Sequence, residues 1–215
     1  MKNPKTIIKN VCERLEEKNP KPGTDLTWRN PFTLAVSVLL SAQTTDNAVN
    51  RVTGSLFAKA DNPADMLKLG MAELTNHIKT IGLFNNKAKN IIAMCEMLVC
   101  KYNSQLPTTR DELQKLSGIG RKSANVIMNV LYGEPYIAVD THVLRLSNRL
   151  GITDAKTPDK VEKVLDEHTP DKYKDRISNW LVLHGRYVCK ARKPECGMCC
   201  LRDVCRSAGT PVAGS

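Results

Sequence analysis

Leu116-Ser117-Gly118-Ile119-Gly120-Arg121-Lys122 is the stretch on which the reading of this chain turns. It lies between a polar run with helical spacing, Arg110 to Leu116, and a strongly apolar helix, Ala124 to Tyr132, so it reads as helix, two-glycine hairpin, helix. Gly118 and Gly120 tolerate positive φ and carry no side chain. Backbone N–H groups of the hairpin and of the next helix's first turn can therefore approach a phosphate closely. Taken alone, a Gly-x-Gly is more often an ordinary tight turn between helices. Lys122 falls in the first turn of the second helix, where the positive end of the helix dipole disfavours an ammonium and favours the nucleophilic amine. An isolated basic residue there is also a simple phosphate contact.

Further on, Val139-Asp140-Thr141-His142-Val143 leads into an apolar-periodic helix that stops at Gly151. Asp140 is placed as its N-cap, and a carboxylate in that position can also serve chemistry. Toward the C-terminus, Cys189, Cys196, Cys199, Cys200 and Cys205 fall within one short segment. Such density, in a chain with no apolar signal core, points to metal. On thiolate count alone, a four-cysteine zinc site and an iron-sulfur cluster both remain open. The chain has 215 residues, enough for one large or two small domains, and carries 32 Lys and Arg against 22 Asp and Glu, a formal +10 spread along its length. This favours a polyanionic partner, and no polybasic run flanks an apolar anchor to suggest a membrane. With no apolar signal core the chain is expected to stay in the compartment where it is made, the cytoplasm, with the nucleoid if the source is bacterial, and in a reducing compartment its eight cysteines are not expected to form a disulfide framework.

No segment alternates apolar and polar with a period of two, so the fold class is all-α. An amphipathic N-terminal helix carrying Ile7, Ile8, Val11, Cys12 and Leu15 ends at Asn19-Pro20-Lys21-Pro22-Gly23, a linker. Pro31 to Ala42 is apolar nearly all round and suits a helix buried in a bundle. Short helices follow over 47–60, 63–69, 71–80 and 87–101, with Cys95 on an apolar face. The glycine turn Ile81-Gly82-Leu83-Phe84-Asn85 offers apolar residues of the kind that open a base step. Helices over 141–150, 158–168 and 173–188 complete the pattern; His184 shares an apolar stripe with Tyr173, Ile177, Trp180 and Leu181 and reads as a hydrogen-bonded core residue. The tail after Cys205 is small and polar and reads as disordered.

The combination LSGIGRKSANVIMNV and VDTHVLRLSNRLG, with LLSAQTTD at 39–46, IKTIGLFNNKAKNI at 78–91 and the four-cysteine terminus, resembles the endonuclease III branch of the helix-hairpin-helix DNA glycosylases. The resemblance covers almost the whole chain. It implies a two-lobed helix-hairpin-helix glycosylase fold, with a six-helix bundle domain over 24–134 and an iron-sulfur cluster domain formed by 1–23 and 135–215. It implies a bifunctional DNA N-glycosylase and abasic-site lyase of base excision repair acting on oxidised pyrimidines in double-stranded DNA, as a monomer. Lys122 is then the nucleophile and Asp140 its partner carboxylate. Gln43 fills the space of an extruded nucleotide, Leu83 is the wedge, and Asp46 lies beside the pocket. Gly118, Ile119, Gly120 and Arg121 contact the DNA backbone. The spacing Cys189-x6-Cys196-x2-Cys199-x5-Cys205 matches the family's [4Fe–4S] ligands and leaves Cys200 out. The loop that the cluster closes presents Lys190, Arg192 and Lys193 to phosphates. Ser117 and Ser123 depart from the proline and threonine common in the family; neither removes an atom that the chemistry needs.

Three other readings compete. An adenine-specific mismatch glycosylase shares the cluster and the aspartate but not the hairpin lysine, and usually carries an added C-terminal domain. A non-catalytic DNA-binding module would use the hairpin and basic loop alone. A small electron-transfer protein would leave Lys122, Asp140 and the charge without a purpose.

Overall fold

The structure, a computed structural model, describes residues 3–209. Among the described residues it contains ten α-helices and one short 3₁₀ turn, with no strand. The chain forms two compact units. One is Asp25–Tyr132, and the other joins the chain up to Thr24 with the chain from Gly133 onward.

The first unit is built around α2 (Pro31–Leu40), whose residues from Phe32 to Leu40 are all buried. Its start is fixed reciprocally. The Asn30 side chain accepts from the Thr33 N–H, Thr33 Oγ1 accepts from the Asn30 N–H, and Pro31 supplies a preset first turn. The two hydroxyls that go into the core are satisfied, Thr33 donating to the Asn30 carbonyl and Ser37 to the Thr27 carbonyl. Three helices pack on α2: α3 (Asp46–Lys59), α5 (Phe84–Lys101) and α7 (Arg121–Tyr132). Behind them, α4 (Pro63–Ile78) fills the angle between α3 and α5, and α6 (Arg110–Leu113) rests on α7. Each fully buried leucine of α2, such as Leu34 and Leu40, contributes about 1.5–3 kcal/mol of apolar transfer. Gly70, at φ 77 and ψ 166, breaks α4 at the point where the sequence separates two helices.

The hairpin differs from its sequence reading at both edges. The helix expected over 110–116 ends at Leu113, because Lys115 and Leu116 donate to carbonyls three residues back and tighten into a turn. The following helix begins at Arg121, ahead of the apolar run, which puts Lys122 on its second residue.

In the second unit α1 (Pro4–Lys18) packs with α8 (Thr141–Leu150), α9 (Pro158–His168) and α10 (Asp171–Tyr187) around Trp180, Tyr173, Ile177 and Leu181. The N-terminal helix is locked to this distant part of the chain by polar bonds as well. Trp180 Nε1 donates to the Asn19 carbonyl at 2.7 Å, and Arg176 meets Glu16 at 2.8 Å. Gly151 ends α8 in the left-handed region at φ 82.

After α10 the chain has only the 3₁₀ turn Cys196–Met198. Residues 206–209, read from the sequence as a disordered tail, are held instead. Arg206 pairs with Asp154 at 2.7 Å and donates to the Asn148 carbonyl, while Ser207 donates to the Arg149 carbonyl. A forked guanidinium that meets a carboxylate and a helix-end carbonyl together is enough to anchor so short a piece. The rest of that tail, 210–215, lies outside the described residues.

Candidate functional site

The two hairpin glycines do different work. Gly118 sits at φ 79, and a Cβ there would come within 2.7 Å of Leu39 Cδ1 and 2.9 Å of Asn90 Cβ, so it lets the hairpin press onto α2 and α5. Ser117 Oγ adds a 3.0 Å hydrogen bond to Asn90 Oδ1 and fixes the turn where a proline is common in the family. Ile119 is buried and its N–H already donates to the Leu116 carbonyl, so its amide is not available to a phosphate. Gly120 is the reverse of Gly118. It is not in the left-handed region and nothing stands within 4 Å of a Cβ built on it, which leaves open space in front of the backbone. Both glycines tolerate positive φ, and within the hairpin Gly118 alone adopts it. Arg121 and Lys122 follow as exposed residues on the first turn of α7, a turn without an acidic side chain to compete with an incoming anion.

Gln43 and Leu83 are both exposed, and both occupy the left-handed region, at φ 53 and φ 58. For residues with a Cβ this conformation costs about 1–2 kcal/mol, and it persists only where surrounding structure enforces it. Leu83 is 56% exposed at the head of α5, while Phe84 beside it is half-buried. One residue without a signal in the sequence connects them. Lys87 donates its backbone N–H to the Leu83 carbonyl at 3.0 Å and its ammonium to Thr44 Oγ1 at 2.6 Å. Asp46 opens α3 two residues further along.

In the second unit Asp140 caps α8. Its Oδ1 accepts from the N–H groups of His142 and Val143, at 2.8 and 2.9 Å, and Oδ2 has no partner among the described residues. One carboxylate oxygen is thus committed to the cap and the other is not. The strand-like lead-in is fixed by the Ala138 N–H, which donates to Ser178 Oγ. His142 packs against α10 where Gly185 has no side chain, since a Cβ there would lie 2.9 Å from His142 Cβ. Its Nδ1 lies 3.1 Å from Arg145 Nη2. Burial, and secondarily the Arg145 charge, push the imidazole below its usual range, with Asp140 opposing.

Cys189, Cys196, Cys199 and Cys205 line one pocket, together with Arg149 and His184. Cys200 is not among the lining residues; its carbonyl accepts from Arg14. Burial pushes the Cys199 thiol up to about 11, and the neighbouring cysteines push it the same way. Four thiolates gathered in one pocket repel one another unless positive charge stands beside them, which a thiolate-bound metal group provides. Four cysteines lining one pocket can supply the thiolates of a zinc site or of an iron-sulfur cluster. His184 is buried, as its apolar stripe implies, yet its Nε2 faces Cys199 Sγ at 3.3 Å, so its hydrogen bonding belongs to the cysteine pocket. Arg149 holds the loop by donating to the Lys190 and Ala191 carbonyls at 2.8 and 2.7 Å, and reaches Cys189 Sγ at 3.4 Å. Arg145 donates to the Cys189 and Gly185 carbonyls. Lys190 pairs with Glu195 inside the loop, whereas Arg192 and Lys193 are exposed with no partner among the described residues. The sequence signal for the two clamping arginines is their four-residue spacing on one face of α8; Lys87 and Thr44, far apart in the chain, carry no such signal.

Residues 36–171 match the model of the HhH-GPD superfamily base excision DNA repair proteins, and residues 189–205 match the iron-sulfur binding domain of endonuclease III. The chain is 48% identical to the endonuclease III of Rickettsia conorii over 93% of its length and 95% of that protein. It is 47% identical to that of Escherichia coli K12, over 91% of this chain and 92% of the other. Among solved structures it is similar to a trapped endonuclease III–DNA covalent intermediate, with a TM-score of 0.89 at 43% identity over 95% of this chain and 96% of that one. A non-covalent endonuclease III–DNA complex gives a TM-score of 0.90 at 42% identity, over the same shares.

Proposed function

The chain belongs to the endonuclease III family of base-excision DNA repair proteins and is a DNA glycosylase and abasic-site lyase with a [4Fe–4S] cluster, and on that premise we propose that Lys122 is its nucleophile and Asp140 the carboxylate that assists it. The substrate is duplex DNA carrying an oxidised pyrimidine or an abasic site, and the working form is a monomer acting on chromosomal DNA. The observation that carries this reading is the placement of Lys122, exposed on the first turn of α7 two residues after Gly120, where the backbone stands open to a phosphate. That a 43% identical relative was trapped as a covalent DNA intermediate supports a nucleophilic residue in this one.

A damaged base stacked in the duplex is out of reach, so it must be flipped at a cost of a few kcal/mol. Leu83 entering the stack and Gln43 filling the vacated space offset that cost. Gly120, Arg121 and the amides of the first turn of α7 dock the phosphate chain beside Lys122. Lys122, as a neutral amine, attacks C1′; the C1′–N bond breaks and its electron pair leaves with the base, which takes up a proton. Asp140 Oδ2 has no hydrogen-bond partner among the described residues, so it can balance the positive charge that develops on the sugar and accept a proton from the nitrogen. The nitrogen lone pair then breaks the C1′–O4′ bond, O4′ taking up a proton, and the resulting imine acidifies C2′. Loss of that proton expels the 3′ phosphate and breaks the strand, and water releases the enzyme.

Cys189, Cys196, Cys199 and Cys205 hold the cluster, and Cys200 does not. When bound, the cluster supplies covalent cross-links that fix the loop bearing Arg192 and Lys193. Arg149 and Arg145 set the same loop through its carbonyls, which orients the exposed cations toward phosphates.

Borohydride trapping tests the assignment. On duplexes with an oxidised pyrimidine or an abasic site, the native chain forms a covalent adduct and Lys122→Ala forms none. Asp140→Asn separates the two roles of that residue, because asparagine caps a helix as well as aspartate does. It is expected to keep the native melting temperature and lose most base excision. A Lys122→Ala chain that still cleaves strands would sink the lysine mechanism.

A further inference from the structure

Among the described residues Lys87 is the one lysine, arginine or carboxylate residue that is fully buried, at 4% exposure. An ammonium in such a place is costly unless it is paired, and here its hydrogen-bond partner is a single neutral hydroxyl, Thr44 Oγ1 at 2.6 Å. A methionine would fill the same volume at less cost, so packing alone does not account for a lysine. What the two ends of the residue hold does. Its amide donates to the carbonyl of Leu83, which is left-handed, and its side chain crosses to the residue directly after Gln43, which is also left-handed. Among the described residues Thr44 is otherwise tied by local bonds, its N–H to the Ser41 carbonyl and its Oγ1 to the Ala42 carbonyl at 3.4 Å. The Leu83 turn has no side-chain cap.

We infer that Lys87 is a positioning residue, a strut between the Thr44 hydroxyl and the Leu83 turn that holds Gln43 and Leu83 at the separation needed to enter the DNA together. This rests on the proposed insertion of those two side chains. Two strained loops joined by one rigid strut reach the duplex already ordered. Without it, each would be ordered at the moment of flipping, and the barrier to extrusion would rise by that ordering cost.

The test uses the full, cluster-loaded chain and three variants: Lys87→Met, which keeps the backbone N–H and the volume, Thr44→Val, and the pair together. Single-turnover base excision is measured on an oxidised pyrimidine paired in a duplex, and strand cleavage on an abasic site opposite a gap, where no stacked base must be extruded and no partner base is left estranged. Lys87→Met is expected to slow excision of the paired lesion about tenfold, as loss of one charged hydrogen bond would, and cleavage at the gapped site much less. Thr44→Val shows the same selective loss to a smaller degree, and the double variant falls no lower than Lys87→Met. Equal loss on both substrates, or additive losses, would mean that Lys87 serves general stability and would overturn the inference. Thr44→Val keeps the result decisive if Lys87→Met folds poorly, since Thr44 is only half-buried in a surface loop. Gln43→Ala and Leu83→Ala are run beside them. If these leave paired-lesion excision intact, the insertion reading falls and the strut with it; if they slow it while Lys87→Met and Thr44→Val do not, the strut alone is wrong.

Discussion

Replacing Gly118 by alanine puts the two-glycine hairpin under a direct test. The new Cβ would stand 2.7 Å from Leu39 Cδ1 and 2.9 Å from Asn90 Cβ, both closer than real Cβ contacts come, at a backbone φ of 79. The left-handed conformation alone costs an alanine about 1–2 kcal/mol. Relieving the two contacts adds about 1–3 kcal/mol, since Leu39 lies on the buried α2 and cannot swing into solvent. The sum, about 2–5 kcal/mol, corresponds to a fall of roughly 4–20 °C in the melting temperature. Gly120→Ala is the matched control. Its Cβ meets nothing within 4 Å and its φ is unexceptional, so stability should stay within about 0.5 kcal/mol. DNA affinity should divide the other way. Gly120→Ala places a methyl where the phosphate approaches and weakens binding at native stability. Thermal melts followed by helical circular dichroism, with binding to an abasic-site duplex, read both effects. A Gly118→Ala chain as stable as the native one, or a Gly120→Ala chain that binds DNA unchanged, would refute the division of labour between the two glycines.

DNA affinity should fall steeply with salt, and Arg192→Ala and Lys193→Ala should each flatten the slope of log K against log salt by about 0.9 if each meets one phosphate; an unchanged slope would remove that residue from the interface. Burial pushes the thiols of Cys12 and Cys95 up to about 12, while Cys100 is exposed. Alkylation of the native protein at neutral pH, mapped by mass spectrometry, should therefore label Cys100 and spare the other two. The His142 imidazole is held below its ordinary value of 6.5, chiefly by burial, so the unfolded chain binds this proton more readily than the folded one. Its effect on stability is nil well above 6.5 and grows as pH falls through that value, so the native chain should lose more stability between pH 7 and 5 than His142→Gln does.

The hairpin, Asp140 and the cysteine spacing are legible in the sequence because each is local. A glycine turn, a helix cap and a thiol count can be read from a few neighbouring residues. The 31–42 run, apolar nearly all round, likewise reads as a core helix, and α2 is buried along nearly its whole length. What is not legible depends on residues that meet through the fold. Nothing in Gly-Ile-Gly says that Gly118 turns inward against Leu39 and Asn90 while Gly120 faces open space; that follows from how α2 and α5 lie beneath the turn. Lys87 and Thr44 are 43 positions apart, and a lysine on the amphipathic helix 87–101 reads as solvated until its ammonium is found under a loop from elsewhere. The apolar stripe of α10 is enough to bury His184, but it does not disclose that the partner of its Nε2 is a cysteine from the terminal segment.

Net charge shows the same division at the scale of the whole chain. A formal +10 points to a polyanion, but it does not say which cations are left to meet one. Arg14 and Arg206 are spent on Asp203 and Asp154, and Arg176 on Glu16 and Asp175. Arg145 and Arg149 point at backbone carbonyls, three of them in the cysteine segment. The reason lies in that segment's lack of regular structure. Past α10 its carbonyls have no helix or sheet to satisfy them, and a guanidinium with five donors in a fixed fork can take several at once. The arginines thus satisfy the backbone while the cysteines fix the loop's ends. Exposed cations that no carboxylate among the described residues engages include Lys122 at the head of α7, and Arg192 and Lys193 on the loop that those arginines hold.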